Sequence, residues 1–283
     1  MSYFDRAGFA VTILAMNQWT TPAIVLAVEP RGESDLSVRL FTPRQGRIVA
    51  VAKGALRSKK RFAGIFDLAQ VVEAGLMTAP RSGRIMVEHA AVIEQFPRFR
   101  EHPRRLARAA LLLEIISLGA PEPAPSAALY DLLRGGLGRL HDEPDSDRFA
   151  IAYAFRMIAA MGYRPGLDCC VHCLRPWANG QALFNAAAGG VLCASCCEHE
   201  DITTGARPAA MEITPDTSRT LTEIMKAPEA RISRISFTRN ALTQSRRLLD
   251  LFIAHHLPRP SQVIPFMDGL DRHAIPARPG ARP

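Results

Sequence analysis

Asp35–Gly54 reads DLSVRLFTPRQGRIVAVAKG. Leu36, Val38 and Leu40 fall on one face and Ser37, Arg39 and Phe41 on the other, the period of two that a β-strand imposes. Pro43-Arg44-Gln45-Gly46 carries turn chemistry, and RIVAVAKG (47–54) resumes as a second strand. Working outward, TPAIVLAVE (21–29) is a β-branched apolar run closed by the turn-prone PRGESD (30–35). On the other side, FDLAQVVEAGL (66–76) and RIMVEHAAVIEQ (84–95) supply two more strands, separated by MTAPRSG. Five short strands without a helix-length pattern among them predict a small barrel, a five-stranded OB-fold before an SH3-like one.

After Pro97 the period lengthens. Leu106, Ala109, Ala110, Leu113 and Ile116 recur at helical spacing in PRRLARAALLLEIISLG, with Ser117 interrupting the face and Gly119 as the stop. APEPAPS reads as a linker, with Ser126 capping AALYDLLRGGLGRL. DSDRFAIAYAFRMIAAMG is a further helix, capped by Asp145 or Ser146 and stopped by Gly162. TPDTSRTLTEIMKA and TRNALTQSRRLLDLFIAHHL give two more. The expectation is an α+β multidomain chain. Residues 1–18 are an N-terminal extension, 19–96 the barrel, 97–257 a helical domain interrupted by a cysteine module at 165–200, and 258–283 a proline- and arginine-rich disordered tail.

The charge is uneven. The whole chain carries a net +8, and residues 16–110 account for all of it, with 16 Lys/Arg against 8 Asp/Glu; residues 111–283 hold 18 of each. A positive field confined to one domain points to a polyanionic partner, against the plainer reading of a solvated basic face. No apolar run approaches the roughly 20 residues that cross a bilayer, so no membrane role is expected. The opening MSYFDRAGFAVTILAM lacks the basic start and cleavage site of a secretory signal; residues 1–15 read as a loose arm, or as preceding a true start at Met16. A reducing, cytoplasmic setting follows, in which close cysteines favour metal over disulfide.

All six cysteines fall between 169 and 197. Cys170-Val-His-Cys173 and Cys193-Ala-Ser-Cys196 are two C-x2-C pairs, and two such turns make a tetrahedral four-sulfur cage for a structural Zn2+. Gly189-Gly190 offers a tight turn, and QALFNAAAGGVLC reads as a hairpin feeding the second pair. Four thiolates leave no open position for water, so hydrolytic zinc is not expected. His172 or His199 could replace one sulfur; symmetry favours the inner four cysteines and leaves Cys169 and Cys197 as bystanders.

KGALRSKKRFAG places Lys53, Arg57, Lys59, Lys60 and Arg61 on one loop without an acid among them. Cations so placed neutralise phosphates and release counterions, a sequence-independent source of affinity. Arg39, Arg44 and Arg47 could extend the path, and Phe62 and Phe66 either stack on bases or pack in the core. No nucleophile elbow, Walker loop, dinucleotide fingerprint or zincin motif occurs, so no enzymatic activity is expected.

At these residues the chain resembles the bacterial RecO family of recombination mediators. The run AIVLAVEPRGESDLSVRLFTPRQGRIVAVAKGALRSKKRF looks like the family's opening, and GYRPGLDCCVHC with GGVLCASC is similar to its zinc module. The resemblance spans residues 19–257. It implies an OB-fold, a helical domain with a zinc finger, and a pattern that lands on Pro165, Leu167, Cys170, Cys173, Gly189, Gly190, Cys193 and Cys196. It implies binding of single- and double-stranded DNA, annealing of complementary strands, and loading of RecA with RecR onto strands coated by single-strand binding protein (SSB). Implied partners are RecR, the SSB C-terminal tail, RecF and RecA, in a nucleoid-associated protein. The chain departs from the family in its front extension, in Cys169 and Cys197, and in having Leu174 where a glycine often follows the first pair. Two other readings compete: an architectural zinc protein whose barrel binds RNA, and a zinc enzyme, which needs an open metal position.

Overall fold

The structure is a computed structural model that describes residues 18–58, 60–120, 125–143, 146–177, 182–197 and 210–272. The chain forms two compact units, one of residues up to 95 joined by the described end of the 121–127 linker, the other of 96–120 and 128 onward.

In the first unit β1 (Gln18–Arg31), β2 (Asp35–Thr42), β3 (Gly46–Ala52), β4 (Val71–Thr78) and β5 (Ile85–Glu94) close into a barrel in the order β1-β2-β3-β5-β4. Neighbours pair antiparallel except β3 and β5, which meet in parallel through Ala50↔Ile85 and Val51↔Met86. This is the OB-like arrangement expected. The alternation read from the sequence sets the inward face: Val38 and Leu40 of β2, Ile48 and Ala50 of β3, and Val72 and Leu76 of β4 fill the interior. Each large apolar side chain buried there contributes roughly 1.5–3 kcal/mol. The fourth strand begins at Val71 rather than Phe66, because Asp67–Gln70 turn, with Ala69 at φ 69°.

The second unit contains α1 (Arg98–Glu101), α2 (Pro103–Gly119), α3 (Ala127–Asp142), α4 (Ser146–Ala160), β6 (Ala182–Asn185), β7 (Gly190–Cys193), α5 (Ala194–Cys197), β8 (Ala210–Ile213), α6 (Pro215–Lys226), α7 (Arg239–His256) and α8 (Val263–Arg272). The helices follow the periodic segments. Thr214 and Thr238 cap α6 and α7, each accepting from the backbone N–H three residues on. Asp145, one expected cap of α4, lies outside the described residues, and so does the side chain of Ser146.

α2 departs from a one-faced helix. Besides Ala109, Leu113 and Ile116 it buries Ala107, Leu111, Leu112 and Ile115, and it packs against both α4 and α8. It also buries Arg108, whose side chain is 1% exposed. The guanidinium donates to Asp147, to both oxygens of Asp271 (2.8 and 3.0 Å) and to the carbonyl of Arg104 (3.2 Å). Arg246 donates to the same Asp271 (2.7 Å) and to Asp268 (2.9 Å).

The disordered tail expected from residue 258 is corrected over Val263–Arg272, which form α8. Glu114 of α2 accepts the backbone N–H groups of Gln262 and Val263 and the Ser261 hydroxyl, so it satisfies otherwise orphaned donors at the helix start. Ile264 and Met267 are buried, and Asp271 meets the two arginines. Residues 273–283, and 1–17 of the expected extension, lie outside the described residues. Among the described residues no helix is long and apolar enough to cross a membrane.

Candidate metal centre and nucleic-acid interface

The two C-x2-C turns meet because two glycine-bearing segments lie against each other. Gly166 N–H donates to Gly189 C=O (2.9 Å) and Val191 N–H to Gly166 C=O (2.8 Å), while Val171 N–H donates to Val191 C=O (2.9 Å). A Cβ on Gly190 would sit 2.4 Å from the Gly166 oxygen, so no other residue fits this approach. The expected hairpin is present: β6 and β7 pair antiparallel, with the Asn185 side chain accepting from Ala187 and Ala188 N–H in the turn. β8, not foreseen, adds to the other edge of β6.

This frame places the sulfurs of Cys170, Cys173, Cys193 and Cys196 within 4.8 Å of one another. Cys173 and Cys193 Sγ are 3.8 Å apart. A tetrahedral four-thiolate site with metal–sulfur bonds near 2.3 Å has edges of about 3.8 Å. The four residues therefore fit a metal ion. Burial opposes ionisation of Cys170, but backbone N–H donors from Cys173, Cys193 and His172 outweigh it and bring its thiol down to about 6. The hydrogen bond with Cys193, followed by burial and the other two sulfurs, pushes Cys196 up to about 12. Four sulfurs this close resist sharing negative charge until a cation joins them. His172 Nδ1 stands 3.5 Å from Cys196 Sγ, beside the cage; His199 lies outside the described residues. Cys169 backbone pairs with Pro176, and Cys197 Sγ lies 3.6 Å from the Leu192 oxygen, so neither joins the four.

Leu174 closes the first turn, donating its N–H to the Cys170 carbonyl (2.9 Å) at φ 62°, a left-handed position that disfavours side chains. Its side chain is 72% exposed and has little packing to lose. Leu174→Gly should therefore stabilise the second unit by about 0.5–1 kcal/mol despite glycine's greater unfolded-state entropy. Urea unfolding of the metal-loaded protein measures this, and a destabilisation would refute it.

The basic residues divide between the two ends of the barrel. The β1–β2 turn, the exit of β3 and the β4–β5 turn reach one rim, as the registers Leu36↔Ala52, Ala50↔Ile85 and Thr78↔Ile85 require. Lys53, Arg57, Lys60 and Arg61 are exposed on the loop at this rim; Lys59 lies outside the described residues. Arg31 and Arg84 join them, although Arg31 has no basic neighbour in the sequence and Arg84 has only Arg81. The only clue to them is that the β1–β2 and β4–β5 turns of a five-stranded barrel open at the same end. Arg44 and Arg47 lie at the other end of β3, whose seven residues at about 3.3 Å each span roughly 20 Å. Arg39 is mid-strand, paired with Glu29 on β1.

The rim loop is organised rather than trailing. Ser58 Oγ accepts from the N–H groups of Arg61 and Phe62 (both 3.0 Å). Asp35 accepts from Gly54 N–H (2.8 Å) and from the Ser34 hydroxyl (3.0 Å); these donors, Gly54 first, hold its carboxyl below the usual carboxylate value. Arg61 donates to the Lys53 carbonyl (3.2 Å) and lies 4.2 Å over the Phe62 ring. Phe62 itself is 4% exposed in the barrel core with Phe66 against it, so the core reading of these rings is the one the structure bears out. Arg31, Lys53, Arg61 and Arg84 line a groove of about 560 Å³, together with Asp35 and Glu88.

Residues 16–93 match the family described as Recombination protein O N terminal, and residues 100–262 match Recombination protein O C terminal. Proteins named DNA repair protein RecO are similar along nearly the whole chain. That of Syntrophus aciditrophicus is 30% identical over 256 residues, covering 90% of this chain and 97% of its own. That of Geobacter metallireducens is 31% identical over 258 residues, covering 90% and 99%.

Proposed function

Because this chain belongs to the RecO family, we propose that it is a DNA repair and recombination protein that binds DNA strands on the cationic rim of its barrel. The observation that carries the reading is the gathering of Arg31, Lys53, Arg57, Lys60, Arg61 and Arg84 at one end of a barrel whose fold is suited to nucleic acid. Contacts of this kind go mainly to phosphate and carry little sequence preference. Two complementary strands repel through their phosphates, and a cationic surface lowers that barrier, so the rim supports annealing without active-site chemistry. In this reading the family's further roles follow: loading of RecA with RecR onto strands coated by SSB, contact with the SSB tail and RecF, and residence in the cytoplasm at the nucleoid. The ion of the four-cysteine site is Zn2+, held by Cys170, Cys173, Cys193 and Cys196, with a structural role.

The test is charge reversal. Lys53→Glu with Arg61→Glu should weaken single-strand binding at least about tenfold and make the log–log salt dependence shallower by roughly 1–2. Arg44→Glu with Arg47→Glu, at the far end of β3, should change the slope less. Equal slopes for wild type and the rim variant would reject the rim. Annealing of SSB-coated oligonucleotides with the same variants tests the mediator role, and competition between single-stranded DNA and structured RNA separates it from an RNA-binding role.

A further inference from the structure

We propose that the rim groove seats one unstacked base of a single strand and favours bases that carry an exocyclic amine. The inference rests on the reading of the rim as the strand-binding surface and adds what that surface recognises. A purely phosphate-binding track would be an open, polar, uniformly cationic surface. This groove is different in two respects. Beside its cations it is lined by the apolar Val51, Met77 and Met86, which register partners place on the outer face of the barrel, and by the carboxylate of Glu88.

The apolar lining has a use that phosphates do not. Methionine thioethers are polarisable and make favourable contacts with aromatic rings, and a nucleobase presents such a ring face. Met77 and Met86 pair directly across β4 and β5, so their side chains stand beside each other on one face. The volume of about 560 Å³ lies in the range of about 300–1,000 Å³ typical of small-ligand sites. A base paired and stacked in a duplex cannot offer its face to such a lining; a base swung out of a single strand can. With the base on the methionines, its flanking phosphates reach Arg31, Lys53, Arg61 and Arg84 on the groove sides.

Glu88 supplies the selectivity. A carboxylate in a phosphate track is repulsive, yet it is a good acceptor for the amino group of cytosine. One Glu88 oxygen accepts from Gln18 (3.2 Å), and among the described residues the second meets no donor. Asp35, the other acid of the groove, is committed to Gly54 and Ser34. Thymine has no exocyclic amine to offer.

The test compares three strands of one length on the full-length protein by fluorescence anisotropy at fixed salt: oligo-dC, oligo-dT and an abasic strand. The wild type should bind dT about tenfold more tightly than the abasic strand, and dC roughly fivefold more tightly than dT. Met77→Ser with Met86→Ser should bring dT down to the abasic level with the salt slope unchanged, and Glu88→Ala should erase the dC preference. Equal binding of all three strands by the wild type overturns the proposal without needing any variant to fold. If Lys53→Glu with Arg84→Glu leaves every strand's affinity unchanged, the rim reading itself has failed. If those reversals weaken all strands but base identity and presence never matter, the rim stands and the base seat falls.

Discussion

Cys193→Ser should lower the bound metal from one ion per chain to none and cost the second unit several kcal/mol. Four-cysteine sites contribute apparent binding free energies on the order of 10 kcal/mol at pH 7, and where the unfolded chain lacks a preformed site that energy is folding energy. Here the segment around the sulfurs is short and held chiefly by the Gly166–Gly189–Val191 backbone contacts, with Leu167, Phe184, Val191 and Leu192 its main buried apolar groups. It has little core of its own to survive on. Cys169→Ser and Cys197→Ser should keep the metal. Metal content by mass spectrometry, with thermal unfolding alongside, decides the matter. Metal kept in Cys193→Ser, or lost in Cys169→Ser, would show that a different set of sulfurs holds it. DNA binding by the barrel, measured below the unfolding temperature, should be unaffected.

The second large effect concerns Arg108. Asp271→Ala strips the buried Arg108 of its two-oxygen acceptor and leaves Asp147 as its one carboxylate, so it should destabilise the second unit by about 3 kcal/mol. Arg108→Met removes the charge itself and leaves an apolar side chain of similar length, so its cost should be distinctly smaller. Denaturant unfolding of the pair checks this; equal costs would mean that packing, not charge, is what Arg108 contributes. The pair also predicts acid sensitivity. Burial would push the Asp271 carboxyl up, but hydrogen bonds from Arg108 and Arg246 hold it below the ordinary carboxylate value. Its stabilisation is therefore complete above the unfolded-state value near 3.9 and is lost as pH falls through the lower folded-state value.

The barrel was legible because alternation in Asp35–Ala52 depends only on neighbouring residues. The closure between β3 and β5 was not, since no local pattern announces two parallel register pairs joining segments over 30 residues apart. The same limit hid Arg31 and Arg84, which become part of a cationic rim only once separate turns are brought together. The four inner cysteines could be read from spacing, because a C-x2-C turn is itself local. Arg108 could not: within a helix so apolar it looks like a surface cation, and only Asp147 and Asp271, distant in sequence, make its burial tolerable. α8 was lost to composition: the prolines and arginines around it mask a short run that buries Ile264 and Met267 and packs on α2.

The bond between Arg108 and Asp271 joins residues 163 positions apart. A ribosome adding about 5–20 residues per second emits the arginine roughly 10–30 s before its second carboxylate exists. Through that interval α2 carries a cation that its finished surroundings will bury. The helical unit can therefore pair Arg108 with Asp147 first, and the full set of acceptors around this cation is complete only once α8 has been made.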